Sequence, residues 1–371
     1  MHVLQPAVVG GLETVVRALA LGHAGAGHSV RVVTVTNDDA SRRFLHSFAG
    51  TRVQGESLGA TGRGYLRERA AARALIARIH PDVVHTHGLR PDVVDAPAAQ
   101  ALGIATVSTV HGYTESSLRM RLYGYLQRQS LRSFDAVVAV SGSLGRALSS
   151  YVDATRLHVI VNGFIPAAAL VERAAARARL GVRDERFLIG WIGRVSPEKG
   201  ADVAVRALAH LAGVAPRGSL ELAMIGEGPA RTSVQRLARQ LGVADLMVWH
   251  GTRRDAAQLM SAFDVFMLSS RLEGTPMVVL EAMHARTPVV ATRVGGVPEM
   301  LSDDDARLVR SDDSFSLAAA LDDVRVNRAA AAARASNAAE VLATRYSGEA
   351  WLESYAALYR RLRLVTEERR K

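Results

Sequence analysis

Glu273 and Glu281 stand eight residues apart in S-S-R-L-E-G-T-P-M-V-V-L-E-A-M, and that spacing invites a chemical reading. Thr275 suits the cap of a helix and Pro276 its first position, which puts Glu273 just before the helix and Glu281 inside it. The unpaired N–H groups of such a start, around Gly274 to Met277, make an anion site. One carboxylate could accept from the hydroxyls of a sugar and the other from a ribose. The plainer alternative is that Glu273 only favours the helix dipole and Glu281 faces solvent.

A second cluster lies in W-I-G-R-V-S-P-E-K-G. Of 46 basic residues only Lys199 and the terminal Lys371 are lysines, so the ammonium at 199 is a compositional exception. Gly193 permits close approach of backbone to a ligand, Arg194 offers a planar fork, and Lys199 a compact charge with three donors. Together they suit a diphosphate; the competing reading of Lys199 is a solvated loop charge.

Three further features bear on chemistry. In V-V-G-G-L-E-T-V-V, Gly10 and Gly11 precede a helix, but this is not G-x-G-x-x-G, and Asp38 and Asp39 keep NAD only as a weak alternative. His85, His87 and His111 each sit near a strand end. H-x-H could ligate a metal, yet spacing offers no third ligand, and strand-end histidines are more often structural. The acidic run at Asp303, Asp304 and Asp305 reads as a solvated loop.

The elements that must position these residues follow one grammar. V-R-V-V-T-V, D-V-V-H, A-T-V-S-T-V, D-A-V-V-A-V and L-H-V-I-V alternate with helical stretches before residue 165. The pattern restarts with F-L-I-G-W-I-G, L-E-L-A-M-I-G, M-V-W-H-G, D-V-F-M-L and P-V-V-A-T. Continuous apolar runs bounded by turn signals are what buried parallel strands require. An α/β fold of two doubly wound, Rossmann-like domains facing a central cleft is expected, with domains at 1–165 and 166–346. In such sheets ligands sit beyond the carboxyl ends of the strands.

Asn162 to Leu170 reads as a hinge, and a final helix over 347–371 carries an apolar face of Trp351, Leu352, Tyr355, Leu358, Tyr359 and Leu362 that needs burial.

Composition excludes several classes. The absence of cysteine removes disulfides, thiolate metal sites and cysteine nucleophiles. The net charge is +10, and residues 1–165 hold 17 Arg against 11 acids, but these are dispersed and aromatics are 5%, which argues against nucleic acid. With neither a secretory signal nor a spanning segment, a cytoplasmic protein is expected. The Arg-rich stretch Y-L-R-E-R-A-A-A-R-A-L-I-A-R-I-H offers peripheral contact with an anionic inner membrane face, against the alternative of a solvated helix face.

The ordered set G-G-L-E, D-V-V-H-T-H-G, T-V-H-G, V-S-G-S, N-G, G-R-V-S-P-E-K-G, I-G-E-G-P, E-G-T-P-M-V-V-L-E-A-M and P-V-V-A-T-R-V-G-G-V-P-E resembles the family-4 retaining glycosyltransferases of GT-B fold, over residues 1 to about 300. Their E-x7-E element falls on Glu273 and Glu281. The resemblance implies metal-independent, cofactor-free transfer of a sugar from a nucleotide diphosphate sugar to an acceptor hydroxyl, with retention, in polysaccharide, glycolipid or other glycoconjugate biosynthesis. It implies that Arg194 and Lys199 neutralise the diphosphate, that Glu281 holds the ribose, that Glu273 and His111 contact the donor sugar, and that Gly11 lies against the phosphates. Gly274, Thr275, Pro276 and Met277 complete the donor side. The last helix is expected to return to the N-terminal domain.

The chain departs from the family pattern in three places. Ile165 stands where Asp is usual after N-G-F, Ser269 where Pro is common, and the first strand, H-V-L-Q-P, looks clipped, so a start a few residues upstream is expected. The competing functions are a two-lobed sugar or nucleotide-sugar binding protein, a nucleotide-sugar epimerase of related fold, and an NAD dehydrogenase. The donor sugar, the base and the acceptor are not readable from these motifs.

Overall fold

The apolar runs become the interior of two sheets because only a strand covered on both faces can bury every residue it carries. The structure, a computed structural model, describes residues 1–6, 10–62, 64–112, 118–182 and 186–370, without the side chains of 118–121 and 370. The paired valines of V-V-G-G-L-E include Val8 and Val9, which, like Lys371, lie outside the described residues.

The chain divides into two units, Met1–Gly163 with Gly348–Lys371, and Phe164–Ser347. The divisions fall two residues before and one after those expected at 165 and 346. In the first unit the strands are β1 (His2–Leu4), β2 (Arg31–Thr34), β3 (Gln54–Ser57), β4 (Val83–His87), β5 (Ala105–Val110), β6 (Ala136–Ala139) and β7 (Leu157–Val159). They form one parallel sheet in the order β3-β2-β1-β4-β5-β6-β7. Alternate side chains serve opposite layers: Val3 packs with Val33, Val84 and Ile76, while Leu4 packs with Val16, Val32 and Phe44.

The second unit contains β8 (Phe187–Ile192), β9 (Leu220–Ile225), β10 (Met247–Gly251), β11 (Val265–Leu268), β12 (Val289–Thr292) and β13 (Arg307–Val309). Their order is β10-β9-β8-β11-β12-β13, again all parallel. Ile189, Trp191, Leu208, Leu222, Met224 and Leu317 belong to its core. Each sheet grows outward in both directions from its first strand, so each has a topological switch point, at β1/β4 and at β8/β11.

The final helix, Gly348–Arg370, belongs to the first unit. Trp351, Tyr355, Leu358 and Leu362 are buried along it. Thr366 Oγ1 accepts from Ala105 N and donates to Asp82 O, both at 2.8 Å, pinning the helix to the N-terminal ends of β5 and β4. Among the described residues no helix is long and apolar enough to cross a membrane.

Candidate functional site

β8 ends at Ile192, and the chain turns through Gly193, Arg194, Val195 and Ser196 into a single 3-10 turn, Pro197–Lys199. Gly200 follows in the left-handed region, φ 63°, and begins the helix Ala201–Ala212. A side chain at Gly200 would lie 2.0 Å from Ser269 O, so this turn is pressed backbone to backbone against the loop that follows β11. Ser269 itself is fully buried and donates to Gly200 O at 2.8 Å, while Trp191 Nε1 donates to Ser269 Oγ at 3.0 Å. Ser269 therefore fastens the Lys199 turn to β8.

Lys199 Nζ donates to both oxygens of Glu273, each at 2.8 Å. Ser270 Oγ donates to Glu273 Oε1 at 2.6 Å. The lysine side chain keeps 31% exposure and the glutamate 5%, so the pair is half sunk into the switch point between β8 and β11. A solvated loop charge, one of the two readings from sequence, does not describe Lys199. Arg194 is exposed, without a side-chain partner among the described residues.

Two more loops close on this pair. After β9, Gly226 has φ 137° and a side chain there would meet Gly193 O at 1.8 Å; at Gly228 it would meet Val195 O at 2.3 Å. Val195 N donates to Glu227 O at 2.9 Å. After β12, a side chain at Gly295 (φ 53°) would lie 1.7 Å from Glu273 O, and Gly296 N donates to Gly274 O at 3.1 Å. Thr292 Oγ1 donates to Ser270 O at 2.6 Å. The I-G-E-G-P and V-G-G segments thus hold the loops of the Lys199–Glu273 pair in place.

Arg271 ties the outer side. It donates to Asp202 at 2.9 and 2.8 Å, to Asp312 at 2.7 Å and to Pro197 O at 2.6 Å. Sequence reasoning passed over Ser270 and Arg271, whose partners lie up to 74 residues away.

The helix that carries Glu281 begins one residue later than the sequence suggests. It spans Met277–His284, with Pro276 (ψ 110°) in the cap position and no side-chain cap bond. Thr275 is buried in the preceding loop instead of capping. The extended ψ at Pro276 is the cause: the helical geometry cannot include that residue. Glu281 is partly buried with no side-chain partner among the described residues, and burial pushes its pKa up to about 7. A carboxylate so placed lacks the donors it would need to ionise comfortably.

In the first unit, Gly11 opens the helix Gly11–Gly25 after β1, with Gly10 extended at φ −170° as its cap. His85 and His87 lie on β4 and His111 directly follows β5. The structure adds a residue that spacing did not offer: His2 of β1 brings Nδ1 to 3.0 Å from His87 Nε2. One nitrogen from each of His2, His85 and His87 lies within 4.8 Å of the others, an arrangement with the ligand number of a three-histidine metal site. His85 nevertheless spends Nδ1 on Tyr359 Oη at 2.6 Å and Nε2 on Thr109 Oγ1 at 2.7 Å.

Glycosyltransferase models match both units of the chain. A family model described as Glycosyl transferases group 1 matches residues 186–325, and one described as Glycosyltransferase Family 4 matches residues 9–167. An uncharacterised glycosyltransferase of Methanocaldococcus jannaschii is 28% identical over 317 residues, 80% of each chain. The D-inositol 3-phosphate glycosyltransferase of Mycobacterium marinum is 32% identical over 229 residues, 59% of this chain and 47% of that enzyme, so the match spans about half of the relative's length. Among solved structures, HepE of Anabaena in complex with UDP-glucose superimposes with a TM-score of 0.82 at 22% identity, over 96% of this chain and 98% of that one.

Proposed function

This chain is a family-4 glycosyltransferase of GT-B fold, and on that premise we propose that it transfers a sugar, with retention and without a metal ion, from a nucleotide diphosphate sugar to an acceptor hydroxyl. The observation that carries the reading is the Lys199–Glu273 pair at the β8/β11 switch point, with Glu281 eight residues on and without a side-chain partner among the described residues.

The chemistry follows from what each group can do. As the glycosidic bond to the diphosphate breaks, the sugar gains cationic character and the leaving oxygen gains negative charge. A fixed cation beside that oxygen lowers the barrier where the charge develops. Lys199 and the exposed Arg194 are assigned to the diphosphate, and N–H groups from Gly274 to Met277 support the same anion. Glu273, held by Lys199 and Ser270, is oriented to accept from donor-sugar hydroxyls. Glu281 accepts from the ribose, whose two hydroxyls supply the donors it lacks.

On the N-terminal unit, Gly11 is assigned to the phosphates and His111 to the donor sugar. Because no protein nucleophile is invoked, Glu273 need not stand opposite a second carboxylate as in glycosidases.

UDP is the first nucleotide to examine, since the Anabaena relative was solved with UDP-glucose. The acceptor of the Mycobacterium marinum relative, an inositol phosphate by its name, suggests phosphorylated polyols as a first acceptor class, with glycolipid or polysaccharide synthesis as the setting. Contact with an anionic membrane face is assigned to the exposed side of the helix Tyr65–Ile79, which carries Leu66 at 84% exposure among its arginines.

The test is a thermal-shift series with UDP, GDP, ADP and NAD, followed by donor hydrolysis and analysis of the anomeric product by NMR. One nucleoside diphosphate should raise the melting temperature and its α-linked sugar should yield α-product. Binding of none, or product of inverted configuration, would overturn the proposal; activity surviving excess EDTA is expected. A vesicle-sedimentation assay with and without anionic lipid tests the membrane assignment.

A further inference from the structure

His87 is the middle of a chain of imidazoles. Its Nε2 lies 3.0 Å from His2 Nδ1, and its Nδ1 lies 3.4 Å from His111 Nε2. The ring is 1% exposed, and that of His2 4%. Burial, together with the N-terminal ammonium at His2 and the neighbouring imidazoles at His87, holds both well below the usual histidine pKa, and burial alone brings His111 down to about 4. All three rings are therefore neutral near pH 7.

A neutral imidazole has one N–H and one bare nitrogen, so a ring bonded at both positions must donate through one and accept through the other. Only two arrangements satisfy the chain. In one, His87 donates to His2 and accepts from His111 Nε2–H, leaving His111 Nδ1 an acceptor. In the other, His2 donates to His87, His87 donates to His111, and His111 Nδ1 carries the proton. A mixed arrangement opposes two N–H groups or two lone pairs at buried positions, where an unmatched polar group is costly.

His85 stands beside this chain but outside it. The ring lies against His87 with centroids 4.0 Å apart and planes tilted by 36°, while both its nitrogens are taken by Tyr359 and Thr109. Thr109 Oγ1 lies 3.1 Å from Tyr355 Oη, which closes a second network against the final helix. That network fixes the wall on which the His87 ring rests.

We propose that His87 is a positioning residue: through it the tautomers of His2 and His111 are locked together, so that His111 Nδ1 can change between donor and acceptor only if the whole chain changes with it. The proposal deepens the assignment of His111 to the donor sugar and rests on that reading for its functional meaning. A histidine free to switch tautomer would present a donor in some molecules and an acceptor in others. The chain makes that switch a concerted one across three rings, without a carboxylate, which would otherwise raise the basicity of the ring.

The experiment is nitrogen NMR on the full-length protein labelled at histidine, with His111→Gln used to assign the His111 pair. In the wild type, His2, His87 and His111 should show matched tautomers, all protonated at Nε2 or all at Nδ1. His2→Phe, which keeps a ring but removes the far end of the chain, should shift or mix the His111 resonances while the melting temperature of the folded protein persists. His87→Phe should do the same and lower kcat for donor hydrolysis roughly ten- to a hundredfold with little change in KM for the donor. His87→Gln, whose amide both donates and accepts, should recover the match between His2 and His111 and part of the rate.

Should His2→Phe fail to fold, His2→Asn is read in the same way. Unchanged His111 resonances in these variants would overturn the proposal. So would stoichiometric, tight binding of added Zn2+ that His85→Gln abolishes, because the nitrogens would then be metal ligands. The resonances are read without substrate. A protein that bound no nucleotide sugar would sink the functional reading while leaving the coupling intact, and unchanged resonances in an active enzyme would sink the coupling alone.

Discussion

Lys199 spans 74 residues of sequence to grip Glu273 through both carboxylate oxygens at 2.8 Å. The geometry accounts for an ammonium in a chain whose other described cations are arginines. The turn that carries it is packed against Ser269 O, and the compact ammonium meets both carboxylate oxygens at once. In the proposed reaction the same lysine serves the diphosphate, so Glu273 and the leaving group share one cation.

Lys199→Arg should fold with a melting temperature close to wild type and lose about a hundredfold in donor hydrolysis. Lys199→Ala should lose activity and also stability, by about 3 kcal/mol, because the buried Glu273 carboxylate is left without its counter-charge. Denaturant titration separates the two outcomes. Full activity in Lys199→Arg would remove the lysine from the mechanism.

Ser269→Ala tests whether the serine fastens the Lys199 turn. It strips a partner from the buried Trp191 Nε1 and a donor from Gly200 O, at an expected cost of about 1–3 kcal/mol. Nucleotide binding should weaken as the turn loosens. A variant with unchanged stability and UDP affinity would show the hydroxyl to be incidental.

Gly295→Ala places a Cβ 1.7 Å from Glu273 O at a φ of 53°. Neither the backbone nor the conformation can accommodate it cheaply, and a loss of at least ~3 kcal/mol is expected from the clash and strain together. If the loop yields instead, calorimetry should report weaker nucleotide binding in a folded protein, since Glu273 moves with it. Wild-type stability and affinity together would contradict the packing described.

Glu281 gives a pH dependence with a definite sign. Its folded pKa lies at about 7, above the unfolded value of 4.5, so its contribution to stability is fully present below 4.5 and is lost as pH rises through 7. A ribose that donates to the carboxylate favours the ionised form. UDP affinity should therefore rise with pH up to about 7 and level off, and binding near pH 6 should release protons, detectable by calorimetry in buffers of different ionisation enthalpy. Glu281→Gln should bind more weakly, with a flat pH profile.

Much of this was legible without coordinates. Each of the apolar runs singled out in the sequence contains a strand, because a central parallel strand must be apolar on both faces and therefore announces itself. β3 and β13 went unread for the opposite reason: Gln54–Ser57 and Arg307–Val309 lie at sheet edges, are short, and carry exposed or half-exposed side chains that have no pattern to display. The one-residue error at the Pro276 helix start has a local cause as well, since a proline's ψ is not constrained by its ring.

The candidate site divides along the same line. The candidates could be picked out from glycine, lysine and glutamate placed just beyond strand ends, since a doubly wound sheet offers ligands that edge. Their partnerships could not. Lys199 with Glu273, Ser269 with Trp191 and His2 with His87 join residues 74, 78 and 85 positions apart. Sequence alone determined the strands and the loops that follow them, because burial and turn chemistry act locally; only the tertiary structure decided which loops meet, because strand order brings β11 beside β8 and β4 beside β1.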